Sequence, residues 1–142
     1  MLWYYNIIGD SMKSRNLKEI CFLEALEKSV VSVRMILNHL KQIDEKKGIF
    51  DEDILIQDKT RVILDLELSL ATLCILLRKM SENQFITLEQ DLRRDMNSII
   101  HSNRFEFDHE VIVYSQKGRE EVDLEKILSF CDEILSNDKI CI

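Results

Sequence analysis

The sequence contains no proline and only three glycines, Gly9, Gly48 and Gly118. β-Sandwiches and β-barrels need many tight turns, which are rich in these two residue types. Long helices need few, and 46% of the 142 residues are apolar, which is enough for one buried core. The composition therefore predicts a single, mainly helical domain.

The sequence also lacks the spacings of a zinc site. None of its four cysteines, Cys21, Cys74, Cys131 and Cys141, belongs to a Cys-x-x-Cys pair, and none has a histidine at ligand spacing. Cys21, Cys74 and Cys131 have apolar neighbours, where cysteine acts as a small hydrophobic residue. We therefore expect reduced thiols in a cytoplasmic protein, with no metal and no cofactor.

No basic leader and no long apolar run occur at the start of the chain. Residues 1–8 are aromatic and apolar, but they are too few for a signal peptide or a membrane span. We interpret residues 1–14 as an N-terminal extension, which is either a short docking segment or sequence upstream of a start at Met12. Residues 136–142 are predicted to form a loose tail of the single domain 1–142.

Basic residues are not in excess either. The chain has 19 Lys and Arg against 26 Asp and Glu, which gives a net charge of −7. This balance argues against a broad basic surface for nucleic acid. It reverses locally between Leu92 and Arg104, where Arg93, Arg94 and Arg104 oppose only Asp95. That patch is either a local RNA site or a solvated helix end.

Apolar residues at three- and four-residue steps predict helices. The predicted spans are 16–45, 53–80, 87–101 and 124–135. Gly48 is a candidate stop for the first helix, and Asp51 or Asp53 a candidate cap for the second. Thr87 with Gln90 fits a capping box, and Asp123 a cap of the last helix.

The segment 105–114 changes to a period of two, which predicts a short β-hairpin or an extended loop. His109 lies at its turn, and Lys117–Gly118 predicts a second turn. Short connections favour antiparallel neighbours. The predicted fold is therefore all-α, an antiparallel bundle of about four helices with a hairpin or extended loop before the last helix.

The second predicted helix is apolar on nearly all sides between residues 68 and 77. A helix of this kind is buried on several sides. Either the rest of the domain or a partner chain is expected to cover it.

The segment from Leu92 to Ser102 contains the residues best suited to chemistry. Arg94 and His101 are seven positions apart, so on a helix they share one face about 10 Å apart. The arginine fork binds phosphate, and histidine transfers protons near neutral pH. Together they suggest an RNA phosphodiester as substrate; the alternative is a solvated arginine and a C-terminal histidine.

This segment, followed by Phe105-Glu106-Phe107-Asp108, resembles the signature of the HEPN superfamily of small helical RNase domains. That signature is an Arg, usually followed by a polar residue, with four to six residues before a His near a helix end. Arg94, Asp95 and His101 match the six-residue spacing. In the commoner form an Arg immediately precedes an Asn, and here Met96 precedes Asn97. Either Arg94 takes the role at the longer spacing or the site has lost its Arg.

The resemblance implies a metal-independent endoribonuclease that acts as toxin or effector in a toxin–antitoxin or anti-phage system. Arg94 would hold the phosphate and His101 would stabilise or protonate the reacting centre. Supporting roles fall to Asp95, Asn97, Ser98 and Ser102, and substrate binding to Arg93 and Arg104. The resemblance also implies a homodimer, with two Arg–His pairs around one cleft, and an antitoxin partner such as a nucleotidyltransferase-type protein.

Two other interpretations remain open. The first is a non-catalytic HEPN-like helical module that binds a partner protein or mediates assembly, which Met96 and the net acidity favour. The second is an unrelated four-helix interaction protein in which the motif is a coincidence.

Overall fold

The computed structural model describes residues 16–46 and 52–140. These residues form four helices and one three-stranded sheet, so the mainly helical prediction is confirmed. The helices are α1 (Leu17–Glu45), α2 (Glu52–Glu82), α3 (Gln90–Ile100) and α4 (Leu124–Ile140). The strands are β1 (Arg104–Asp108), β2 (Glu110–Ser115) and β3 (Gly118–Val122). The predicted extension at 1–14, the stop at Gly48 and the cap at Asp51 lie outside the described residues.

The two long helices pack mainly against each other. Asn16 caps α1, because its side-chain oxygen accepts a hydrogen bond from the Glu19 backbone N–H at 2.8 Å. The second helix begins at Glu52, so Asp53 lies inside α2 and the prediction of a cap there was wrong. Leu26 of α1 and Leu66, Leu73 and Leu77 of α2 are fully buried, as the apolar periodicity predicted.

Helix α3 is shorter than predicted at its start. The N-cap is Glu89, with no side-chain capping bond, so the capping box expected at Thr87 and Gln90 does not form. Leu92, Met96 and Ile99 lie on one face and are buried against the core. His101 is the C-cap, and its backbone N–H donates to the Asn97 carbonyl at 3.0 Å.

The sheet is antiparallel in the order β1-β2-β3. The turn predicted at His109 joins β1 to β2, and His109 has a φ of 65°. The turn predicted at Lys117–Gly118 joins β2 to β3, with Ser115 paired to Gly118. Val111 and Val113 of β2 are buried. Strand β3 is an addition to the predicted hairpin.

The last helix begins where it was predicted and ends later. Asp123 caps it by accepting a hydrogen bond from the Lys126 backbone N–H at 3.1 Å. Ile127 and Cys131 are fully buried. The helix continues to Ile140, so residues 136–140, which were predicted to be part of a loose tail, are helical.

Candidate functional site

The outer face of α3 carries the residues on which the sequence interpretation depends. Arg94, Asn97, Ser98 and His101 follow one another at three- and four-residue steps, which places them on one side of the helix. The opposite side packs on the core. Arg94 and His101 are exposed, and Asn97 and Ser98 are half-buried. The helix therefore presents these four side chains away from the core.

These side chains line an open groove of about 830 Å³ between α3 and the β2–β3 hairpin; we call it the basic groove. Its lining residues are Gln90, Arg93, Arg94, Asn97, Ser98, His101, Asn103, Ser115, Gln116, Lys117, Gly118, Arg119 and Glu120. Five of the eight residues predicted for the site thus meet in one place. The hairpin supplies the opposite wall, with two further cations at Lys117 and Arg119.

Glu120 is the carboxylate among the residues that line the basic groove. Its Oε1 lies 3.7 Å from Arg94 Nε, and the Ser98 hydroxyl donates to its Oε2. Arg94 also has a long contact of 3.9 Å with Asp91. The Arg94 side chain is 67% exposed, so these ion pairs are weak and an anion with better geometry can replace them.

Asp95 lies beside the basic groove rather than in it. Burial raises the pKa of its carboxyl group, and the nearby charge of Glu120 raises that pKa further. The charge of Arg94 and a backbone hydrogen bond from Asp123, at the start of α4, lower that pKa. Asp95 therefore links α3 to α4, and it interacts electrostatically with Arg94 without lining the groove.

Ser102 and Arg104 also lie apart from the groove lining. The Ser102 hydroxyl donates to the Ile99 carbonyl at 3.0 Å, closing the end of α3. The Arg104 guanidinium lies 5.1 Å from the centre of the Tyr114 ring and 2.7 Å from the Glu106 carboxylate. Both side chains have local partners, and neither lines the basic groove.

Met96 faces the core with only 1% of its surface exposed. It occupies the position that the commoner HEPN spacing gives to an arginine. An arginine there would point away from Asn97 and His101, because successive residues on a helix differ by about 100°. Arg93 and Arg94 of this helix both line the groove with His101, and Arg94 is the one seven residues from His101 on the same helix face.

The hairpin wall is the part of the site that the sequence interpretation missed. Lys117, Arg119 and Glu120 are separated from Arg94 by more than twenty residues, so helical spacing carries no information about them. Lys117 and Arg119 flank Gly118 at a predicted turn, and this pair of cations is the sequence feature that could have indicated the second wall.

The three cysteines within the described residues, Cys21, Cys74 and Cys131, form no part of this site. Burial raises the pKa values of the Cys74 and Cys131 thiols to about 12, which keeps both protonated and unreactive. Cys21, in contrast, is exposed. Among residues 16–46 and 52–140, no group of His, Cys, Asp and Glu side chains is arranged to hold a metal ion.

No helix in the described ranges combines the length and apolar character needed to cross a membrane. Comparisons of the chain with protein-family models, with curated proteins and with solved structures give no match. The interpretation of the basic groove therefore depends on the residues that line it.

Proposed function

We propose that this protein is a metal-independent endoribonuclease of the HEPN type, acting as toxin or effector in a toxin–antitoxin or anti-phage system. The observation that carries the proposal is the basic groove. It joins Arg94, Asn97, Ser98 and His101 from one helix face to the cationic turn of the β2–β3 hairpin. Arg94 and His101 are the proposed catalytic residues.

The charge within the groove supports an anionic substrate. Four cations, Arg93, Arg94, Lys117 and Arg119, face one carboxylate, Glu120, in a chain with a net charge of −7. A cleft of one sign concentrates ligands of the opposite sign even when the whole molecule repels them. Contacts from both walls suit a phosphodiester chain that runs along the groove.

The proposed reaction uses the substrate's own 2′-hydroxyl. That oxygen attacks the adjacent phosphorus, the bond to the 5′-oxygen breaks, and the products are a 2′,3′-cyclic phosphate and a 5′-hydroxyl. Arg94 releases Glu120 and binds the phosphate oxygens through its planar fork, where negative charge increases in the transition state. His101 gives a proton to the departing 5′-oxygen, and the carboxylate of Glu120 accepts the proton of the 2′-hydroxyl.

The wider assembly belongs to the same proposal. A homodimer would bring two Arg–His pairs to one cleft, and the four helices would form an antiparallel bundle. A nucleotidyltransferase-type antitoxin would be the neutralising partner, and the protein would act in the cytoplasm. The homodimer and the antitoxin follow from the HEPN resemblance, whereas the antiparallel packing follows from the short connections and the cytoplasmic location from the reduced thiols.

The central test compares matched variants on single-stranded RNA in EDTA. His101→Ala should lower the cleavage rate at least ~10²-fold, the low end for a positioned acid or base. Arg94→Lys should lower it as well, because an ammonium group lacks the planar fork. His39→Ala and Arg104→Lys change the same residue types at exposed positions outside the groove, so they should cleave like the parent.

Mass spectrometry of the products should show 2′,3′-cyclic phosphate ends. Equal cleavage by the parent and by the Arg94→Ala, His101→Ala double variant would refute the assignment of the two residues. Complete loss of activity in EDTA would contradict a metal-independent reaction.

A non-catalytic HEPN-like module is the second candidate. It is favoured by the ion pair between Arg94 and Glu120, which engages the guanidinium that the nuclease proposal assigns to the phosphate. In that case the parent should cleave none of several RNAs, yet bind a partner protein tightly.

A further inference from the structure

A second open groove, which we call the acidic groove, lies at the other end of the sheet. Its volume is about 980 Å³, and it lies between the C-terminal end of α1, the β1–β2 turn and the junction of β3 with α4. Strand β2 connects the two sites, because Glu110 lines the acidic groove and Ser115 lines the basic groove. At about 3.3 Å per residue, the strand separates these two residues by roughly 17 Å.

The floor of the acidic groove is apolar. Leu40, Val111 and Val122 belong to the core and are 2%, 0% and 4% exposed. Leu37 and Phe107 line the same groove and are only half-buried, so their side chains keep accessible apolar surface. An apolar side chain from a partner can pack there and remove that surface from water.

The rim carries six carboxylates, Lys41 and His109. The carboxylates are Asp44, Glu45, Glu110, Glu121, Asp123 and Glu125. Asp44 is paired with Lys59 at 3.0 Å, and Glu121 with Arg119 at 3.3 Å. Within the described part of the chain, Glu45 and Glu110 have no ion-pair partner. Their charges are therefore available to cations from another molecule.

We propose that the acidic groove binds a segment of a partner protein that carries Lys or Arg side chains together with apolar side chains. The negative charge of the rim disfavours binding of nucleic acid and of anionic membrane surfaces. The apolar floor favours a protein segment over a small polyamine, since a polyamine supplies charge but no side chains to bury. The charged rim selects the partner and the floor anchors it. This proposal is independent of RNA cleavage.

The probe is a short synthetic peptide of alternating Lys and Leu residues, titrated into the ¹⁵N-labelled full-length chain at low salt. Three comparisons accompany it: a matched peptide with Ser in place of every Leu, spermine, and a single-stranded RNA. The Lys–Leu peptide should shift the backbone amide signals of the acidic groove, around Phe107, Val111 and Val122. The Ser peptide and spermine should bind at least about tenfold more weakly, because they lack apolar anchors.

A second experiment reverses two negative charges at the rim of the acidic groove. Glu45→Lys with Glu110→Lys should weaken peptide binding at least about tenfold. Glu24→Lys with Glu27→Lys changes the net charge equally at exposed positions on α1, so peptide binding should stay within about twofold of the parent. All four positions are exposed, so both double variants should fold.

Equal weakening by the two double variants would show unspecific attraction and overturn the proposal. Equal binding of the Ser peptide or of spermine would do the same, since the apolar floor would then contribute nothing. RNA that shifts the acidic-groove signals as strongly as the peptide would also overturn it. RNA shifts confined to residues of the basic groove would support two separate sites.

Discussion

At the scale of single residues, Arg94 and Met96 show how a helix separates two kinds of position. Arg94 is 67% exposed and faces the basic groove, whereas Met96, two residues later, is 1% exposed in the core. The commoner HEPN spacing would require the arginine at the buried position. Because burying a cation without a partner is very costly, an arginine at position 96 cannot bind phosphate in this fold.

We therefore predict that Met96→Arg destabilises the fold by more than about 3 kcal/mol and gives no gain in RNA cleavage. Urea denaturation followed by circular dichroism measures the change. Met35→Arg is the control, because Met35 is 67% exposed on α1 and the substitution should change stability by less than about 0.5 kcal/mol. An active, stable Met96→Arg protein would show that the helix can rotate to bring residue 96 into the groove.

Asp95 gives a second prediction at this scale. Burial and then Glu120 raise the pKa of its carboxyl group in the folded state, so ionisation of Asp95 opposes folding. The stabilising contribution of the protonated group is complete below the ordinary Asp pKa of about 3.9 and is lost as the pH rises through the folded-state pKa. Asp95→Asn should therefore stabilise the protein near pH 7.

The same substitution should have little effect near about pH 3, where Asp95 is protonated in both states. The measurement is the urea midpoint of the parent and the variant at both pH values. Asp65→Asn, at an exposed position on α2, should give no such difference. A gain from Asp95→Asn that is equal at the two pH values would contradict the ionisation argument.

At the scale of elements, α3 and β3 are formed for different reasons. Helix α3 has an apolar face, with Leu92, Met96 and Ile99 on one side and polar residues on the other. Strand β3 reads Gly-Arg-Glu-Glu-Val, and only Val122 is buried. Pairing with β2 supports it more than an apolar face does, which explains why the apolar pattern predicted only a hairpin or an extended loop over 105–114.

The start of α4 depends on its cap. Asp123→Ala removes the bond to the Lys126 N–H and should cost about 1 kcal/mol. Asp123→Asn keeps an oxygen acceptor, so it should retain most of the stability. Thermal unfolding of the two variants measures the difference. Equal losses would show that charge at the helix N-terminus matters more than the capping bond.

At the scale of the whole molecule, α2 exposes an apolar stripe. Leu64, Leu68 and Ile75 are 52%, 59% and 46% exposed, and they face away from the buried Leu70 and Leu77. Their steps of four and seven residues are those of a coiled-coil seam. Residues 68–77 were predicted to be buried on several sides. Within one chain, the side of this segment that faces the core is buried, and the opposite side is exposed.

We expect this stripe to form the interface of the proposed homodimer. Leu68→Glu with Ile75→Glu should convert the dimer to a monomer of 16.8 kDa in sedimentation at micromolar concentration. Val31→Glu with Met35→Glu is the matched control on α1, where the two side chains are 51% and 67% exposed. Dissociation by the α1 pair instead would place the interface on that helix, and a monomeric parent would contradict the dimer.

The sequence alone determined the features that depend on neighbours along the chain. The apolar steps of α1 and α2, the cap at Asp123 and the shared face of Arg94 and His101 are all local, because helical periodicity relates residues three or four apart. Tertiary structure decided the features that join distant segments. Strand β3 required β2 as its partner, and the basic groove required Lys117, Arg119 and Glu120 to come opposite α3. The separation of basic and acidic grooves likewise follows from the path of the sheet, because a net charge of −7 says nothing about where each charge lies.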